Sequence, residues 1–247
     1  MLVQDKTSRA IWIDTLDGGF SAQRASNVVR SHLSRQSTPP KSGLPVEDRT
    51  IQDQISEILS RIQIYSCRDI YDVISVTESI RENLEDTSLR NITRLVVVDS
   101  MSTVLTGLLR GTDGAGHATM IHSARELGLL AVDFGLVVLV TTISVQISLP
   151  EEQPPSILAT SNSKPGLGSS WRYATDLQLY LTKLNPLHMQ RMVGLSDGSG
   201  LFGDDSDEDY SKAPIEGVNR MSSVRVAEIL KSKRLKIGEW SIFDLTP

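Results

Sequence analysis

The chain has 247 residues and one cysteine, Cys67, so it can form no internal disulfide, and a metal site of clustered cysteines is excluded with it. A reducing, intracellular setting is the expectation. Long apolar runs are also lacking. The longest candidate, residues 127–140, is broken by Asp133 and too short to span a bilayer. Residues 1–10 carry Asp5, Lys6 and Arg9 before only a short apolar run, which matches neither a signal peptide nor an anchor, so no membrane association is expected. Positive charge is in deficit: 25 basic residues against 30 acidic ones leave a net charge of −5, and the overall field repels phosphate backbones. Any nucleic-acid contact must then come from a local patch or from a partner. No internal repeat is visible. What remains, 39% hydrophobic residues, suffices for one sizeable α/β core, and the composition is not that of collagen, a membrane protein or a wholly disordered chain.

Along the chain, residues 10–14 (AIWID) predict a short buried strand, then a turn at Gly18 and Gly19 and a helix over about 21–33. Pro39, Pro40, Gly43 and Pro45 make 36–49 a surface loop, and a helix resumes near Ile51. Residues 62–66 (IQIYS) predict a second strand. Ile70, Val73, Ile74, Thr77 and Ile80 mark one face of a helix over 69–84. The run 95–98 (LVVV) ending at Asp99 has the form of a strand covered on both faces. Ile121, Ala124, Leu127, Ala131 and Phe134 stripe a helix within 117–134, and 136–142 (LVVLVTT) predicts another buried strand. Strand and helix in alternation imply a mostly parallel, doubly wound sheet. Beyond it, 148–164 is rich in Pro, Ser and Glu, 176–184 predicts a strand, and 194–214 is a flexible acidic insert around Asp204, Asp205, Asp207, Glu208 and Asp209. A β-hairpin over about 222–246, turning at Gly238, closes what is expected to be a single domain over 1–247, with its core in about 10–184.

LVVVDS at 95–100 has the form of a Walker B strand, which holds a carboxylate at the C-terminal edge of a sheet, where open α/β folds bind ligands. Asp99 would orient magnesium through water. The bland alternative makes it a cap for the next helix. Read in order, IDTLDGGF (13–20), LVVVDS (95–100), ARELGLLAVDFGLVVLVTT (124–142) and KPGLGSSW (164–171) resemble the core of the eukaryotic RecA-like strand-exchange recombinases, most of all the paralogue lettered D. The resemblance covers about 10–184 and implies a RecA-like, P-loop NTPase-type α/β fold with a C-terminal β-hairpin. In KPGLGSSW, Pro165, Gly166 and Gly168 predict a tight bend that delivers Trp171 to a strand start, where it is either a core tryptophan or, with Lys164, a subunit contact.

The family's phosphate cradle is G-x-x-x-x-G-K-[ST], and no segment satisfies it. Gly111-Thr-Asp-Gly-Ala-Gly116 has the glycine spacing but lacks the lysine and hydroxyl, and it follows the Walker B strand. The resemblance places the P-loop before the IDT strand, so that strand and loop are expected to be absent, opening the middle of the sheet beside 95–98 and 136–140. It further implies a catalytic Glu where this chain has Leu16, with Asp17 a shifted substitute, and a polar sensor near Thr142-Ile143. Asp99, Ser100 and Thr142 are thereby the candidate nucleotide-facing residues, with Asp99 a magnesium ligand only if nucleotide binds. ATP and magnesium are expected, if anywhere, at a shared subunit interface. DNA-facing loops would be 109–117 and 144–164, with Arg110, His117 and Lys164 as their useful groups and no aromatic residue to stack a base. Lys231, Lys233, Arg234 and Lys236 are expected to guard a sheet edge against aggregation. His32, His122 and His188 stand alone and predict surface or packing roles.

The resemblance implies DNA repair by homologous recombination in the nucleus, as a mediator or scaffold subunit with ATP hydrolysis lost. Other RecA-like paralogues would be its partners, and its own DNA contact would be weak. Two alternatives compete: a DNA-dependent ATPase of the same family whose P-loop is missing through a truncated gene model, and an unrelated α/β binder of nucleotides or sugar phosphates. The second needs a glycine-rich loop after the first strand, for which Asp17, Gly18 and Gly19 are too few.

Overall fold

The computed structural model describes residues 7–36, 47–111, 114–146, 163–183 and 224–244. The chain divides into two compact units, one formed by Met1–Val145 with Lys164–Thr175, the other by Gln146–Ser163 with Asp176–Thr246. The first holds strands β1 (Arg9–Asp14), β2 (Ile62–Ser66), β3 (Thr93–Asp99) and β4 (Val137–Val140), parallel and ordered β2-β1-β3-β4. Its helices are α1 (Ala22–Gln36), α2 (Glu47–Ser60), α3 (Ile70–Glu85), α4 (Thr87–Ile92), α5 (Met101–Leu105), α6 (Ala115–Phe134) and α7 (Gly168–Ala174), with a 3-10 turn at Leu108–Arg110. Short strands β5 (Ser144–Gln146) and β6 (Ser163–Pro165) pair with each other. No described helix is long and apolar enough to cross a membrane.

Alternation builds the core of this unit. Ile11 and Ile13 of β1 and Val96 and Val98 of β3 share one buried cluster with Ile70, Val73, Ile80 and Leu84 of α3 and Met120, Ala124, Leu127 and Leu130 of α6. The helical residues recur at the three- and four-residue spacing of one face. Each fully buried aliphatic side chain contributes about 1.5–3 kcal/mol against conformational entropy. Asp69 starts α3 by accepting the amides of Tyr71 and Asp72, and Gly135, at φ 65°, ends α6 in the left-handed region. Arg81 ties α3 to α6 through Glu126 and Asp133, at 3.1 and 3.0 Å.

Three expectations need correction. The sheet is not open in its middle: β3 has β1 on one side and β4 on the other, and Val96, Val97 and Val98 are buried. β4, predicted as a buried strand by its apolar run though also expected to be uncovered, is the end strand among the described residues, with Val137 60% and Leu139 51% exposed. An uninterrupted apolar run cannot tell which of its faces is covered, and an end strand has a neighbour on one side only. Trp171 lies on α7, a helix and not a strand start, and is buried in the core with Leu167.

The second unit is a three-stranded antiparallel sheet of β7 (Leu177–Lys183), β8 (Val224–Ser232) and β9 (Trp240–Asp244), ordered β7-β8-β9. The hairpin expected near the C-terminus is β8–β9. Because β8 is the central strand, the basic run does not guard an edge: Lys231 lies in β8, while Lys233, Arg234 and Lys236 lie in the connection to β9. The acidic insert at 194–214, His188 and residues 147–162 lie outside the described residues.

Candidate functional site

From β1 the chain passes through α1 and α2 to β2 on one side, and β3 then pairs with the opposite side of β1. Strand order thus reverses between β1 and β3, and ligands of open parallel sheets bind beyond the C-terminal ends of strands at such a point. Here Asp14 is in register with Asp99, and the amide of Thr15 donates to the Asp99 carbonyl at 2.9 Å. Thr15 and Ser100 lock together reciprocally: the Thr15 hydroxyl donates to the Ser100 carbonyl at 2.7 Å and accepts from the Ser100 amide at 2.8 Å. The peptide joining Asp99 to Ser100 is cis.

The two carboxylates have different tasks. Asp14 is buried, and both its oxygens are taken by its own loop, Oδ1 accepting from the Leu16 amide at 2.9 Å and Oδ2 from the Phe20 amide at 3.1 Å. It shapes the turn, in which Asp17 has φ 52° and Gly18 φ 93°. Asp99 is half-buried, and among the described residues its carboxylate has one hydrogen-bond partner, the Thr141 hydroxyl at 2.6 Å on Oδ1. It is not the cap of the following helix: Ser100 holds that position and makes no capping bond, its hydroxyl lying 2.8 Å from that of Thr103. Ser102 adds a further polar anchor, its Oγ accepting from the Ile143 amide at 3.0 Å.

Of the residues singled out from the sequence, the fold brings Asp99 and Ser100 together at the strand ends, but the threonine that reaches Asp99 is Thr141 and not Thr142. Sequence reading missed Thr141, Thr15 and Ser102; the signal for the first two was their place directly after an apolar strand. Arg110 ends the 3-10 turn and His117 lies exposed in the first turn of α6. Lys164 is in β6. Leu16, at the position where the resemblance implies a catalytic glutamate, is 49% exposed and carries no chemistry. In the glycine-spaced segment 111–116, Gly116 is inside α6, packed against the Leu108 backbone, and residues 112–113 lie outside the described residues. Among the described residues no group of three acidic, histidine or cysteine side chains could hold a metal. For magnesium the strand ends offer one carboxylate, Asp99, with hydroxyls around it. For a triphosphate they offer neither a lysine nor a cradle of amides, so these residues alone do not fit a complete magnesium–ATP site.

The chain is 31% identical over 173 residues to the DNA repair protein RAD51 homolog 4 of Bos taurus, an alignment covering 69% of this chain and 45% of that protein. It is 28% identical to the Mus musculus protein of the same name over 69% of this chain and 44% of its relative. A probable RAD51 homolog 4 of Dictyostelium discoideum is 24% identical over 73% of this chain and 53% of its own length. The fold matches the crystal structure of the RadB recombinase with a TM-score of 0.56 at 19% identity, covering 99% of this chain and 80% of that one. The chain has a RecA-like fold and is similar in sequence to the RAD51 homolog 4 proteins. It spans about half the length of the curated relatives it matches, and no family model matches it.

Proposed function

We propose that this RecA-like chain serves DNA repair by homologous recombination as a mediator or scaffold subunit, assembling with other RecA-like paralogues in the nucleus and hydrolysing no ATP by itself. The observation that carries the reading is the state of the strand ends. The Thr141 hydroxyl donates to Asp99 at 2.6 Å, while the neighbouring acid, Asp14, holds its own turn and Leu16 stands where the resemblance implies a catalytic glutamate. The one remaining carboxylate of the turn, Asp17, is exposed one position past Leu16, and the scaffold reading takes it not to replace the glutamate.

A second reading is favoured by the same Asp99–Thr141 pair: a DNA-dependent ATPase of the family whose phosphate cradle comes from residues outside this chain. ATP turnover of the purified 247-residue chain, alone and with each candidate paralogue, with and without DNA, separates the two. The scaffold reading expects no turnover above background for the chain alone and no loss of assembly in Asp99→Ala. DNA-stimulated turnover by the chain alone that Asp99→Ala abolishes overturns it.

A further inference from the structure

We propose that the connection between β8 and β9 is a contact for single-stranded nucleic acid, its cations taking phosphates and Trp240 offering a ring face to a base. The proposal rests on the recombination reading above and supplies the DNA-contacting surface which that reading leaves open.

The connection is built, not slack. The Ser232 hydroxyl accepts from the amides of Arg234 and Leu235, at 3.0 and 2.8 Å, folding the chain back just after β8. Gly238, at φ 85°, donates its amide to the Ile229 carbonyl at 2.8 Å, and the Ile229 amide donates to the Glu239 carbonyl at 2.8 Å, closing the loop. Within this frame Lys231, Lys233, Arg234 and Lys236 outnumber Glu239, a charge of +3 over residues 231–240 that Asp176, paired with Lys233, reduces to +2, in a chain of −5. Such a concentration on a turn, away from both sheet edges, has no edge to protect.

An acidic group already lies among these cations. Lys233 pairs with Asp176 at the start of β7. That hydrogen bond, with the fields of Lys233, Lys231 and Arg234, holds the Asp176 carboxyl below its ordinary range. Lys233 thus holds an oxyanion directly while Lys231 and Arg234 act on it through space, as they would on a phosphate oxygen. Next to them is apolar surface: Leu235 is 53%, Ile237 46% and Trp240 38% exposed. Lys236, Ile237, Gly238, Glu239 and Trp240 line an open depression of about 400 Å³. A cationic track beside an exposed indole is the pairing by which single strands are held, charge for the backbone and a ring for an unstacked base. A duplex offers no free base to Trp240. A continuous anionic membrane surface would be pressed against Asp176 and Glu239, whereas a strand of discrete phosphates can pass between them.

The test uses the full chain with a fluorescent oligothymidylate, titrated from low to moderate salt. Replacing Lys233, Arg234 and Lys236 by glutamine is expected to reduce the slope of log affinity against log salt by about 2, near 0.7 per lost phosphate contact. Trp240→Leu is expected to weaken binding roughly five-fold or more with the slope kept, and Trp240→Phe to restore most of it. Thermal melts check that each variant folds; if Trp240→Leu does not, the Phe variant and the glutamine triple variant decide. An unchanged slope in the triple variant overturns the proposal, as does wild-type chain that binds no oligonucleotide at low salt, or that binds phosphatidylserine vesicles through these residues and oligonucleotides without them. Association with paralogues is measured on the same samples. Variants that lose oligonucleotide but keep the paralogue support the contact. Wild type that keeps the paralogue without binding oligonucleotide sinks the contact and leaves the recombination reading standing.

Discussion

Cys67 follows β2 directly, and its amide donates to the Asp14 carbonyl at 2.8 Å, which ties the turn of the candidate site to the next strand. Burial first, and then the negative charges of Asp72, Asp69 and Asp14, push its thiol from an ordinary 9.0 up to about 11. Because the thiolate is the nucleophile, the folded protein at pH 8 should react with iodoacetamide about 100-fold more slowly than the unfolded chain, the factor that two pKa units imply. The sign of the linked stability follows: a folded pKa above the unfolded one means a contribution fully present below pH 9 and lost as pH rises towards about 11. Equal alkylation rates with and without denaturant would contradict both statements. At this scale the sequence was legible where chemistry and pattern coincide. Asp99 stands out because a carboxylate ends an apolar strand. Which of two adjacent threonines meets it was not legible, because that depends on where β4 leaves the sheet, and nothing in the pair Thr141-Thr142 says so.

Among the elements, α6 shows how a glycine can imitate one function and perform another. A Cβ on Gly116 would lie 2.3 Å from the Leu108 carbonyl oxygen and 2.6 Å from its carbon, both rigid backbone, whereas a Cβ on Gly128 of the same helix meets nothing within 4 Å. Gly116→Ala should therefore destabilise the protein by about 1–3 kcal/mol through overpacking. Gly128→Ala should stabilise it by roughly 0.5–1 kcal/mol, the ordinary helical preference. Urea denaturation of the two variants checks the contrast, and equal shifts in one direction would refute it. The element boundaries of the parallel sheet were readable because apolar alternation and helical spacing change period between them. Trp171 was misplaced onto a strand for lack of such a signal: a seven-residue helix is too short to display a face. The basic run was misjudged because sequence names a strand without naming its neighbours, and only the order β7-β8-β9 reveals that β8 is not an edge.

At the scale of the whole molecule, the feature with the widest consequence is β4, which among the described residues has a strand on one side only. Val137 and Leu139 point to the same face of β4 and are each more than half exposed. β4 carries none of the lysines, prolines or bulges by which natural end strands are kept from pairing with strangers. Val132, 80% exposed on the helix just before it, adds to the apolar surface. A chain left alone with that strand should self-associate, and one bound there by a RecA-like subunit should gain stability by mass action: about 2.7 kcal/mol at a partner concentration of a hundred times Kd. For a chain of this size that amounts to a rise in Tm of about 5–10 °C. The comparison is expression of residues 1–247 alone and with each candidate paralogue, followed by size exclusion and thermal melting, with Val137→Thr and Leu139→Thr together as a second arm. That double variant should reduce self-association of the lone chain and blunt the rise in Tm on adding the partner. A monodisperse monomer whose cooperative melt no paralogue shifts would show that the end strand needs no cover, and would remove the physical ground for an obligate subunit.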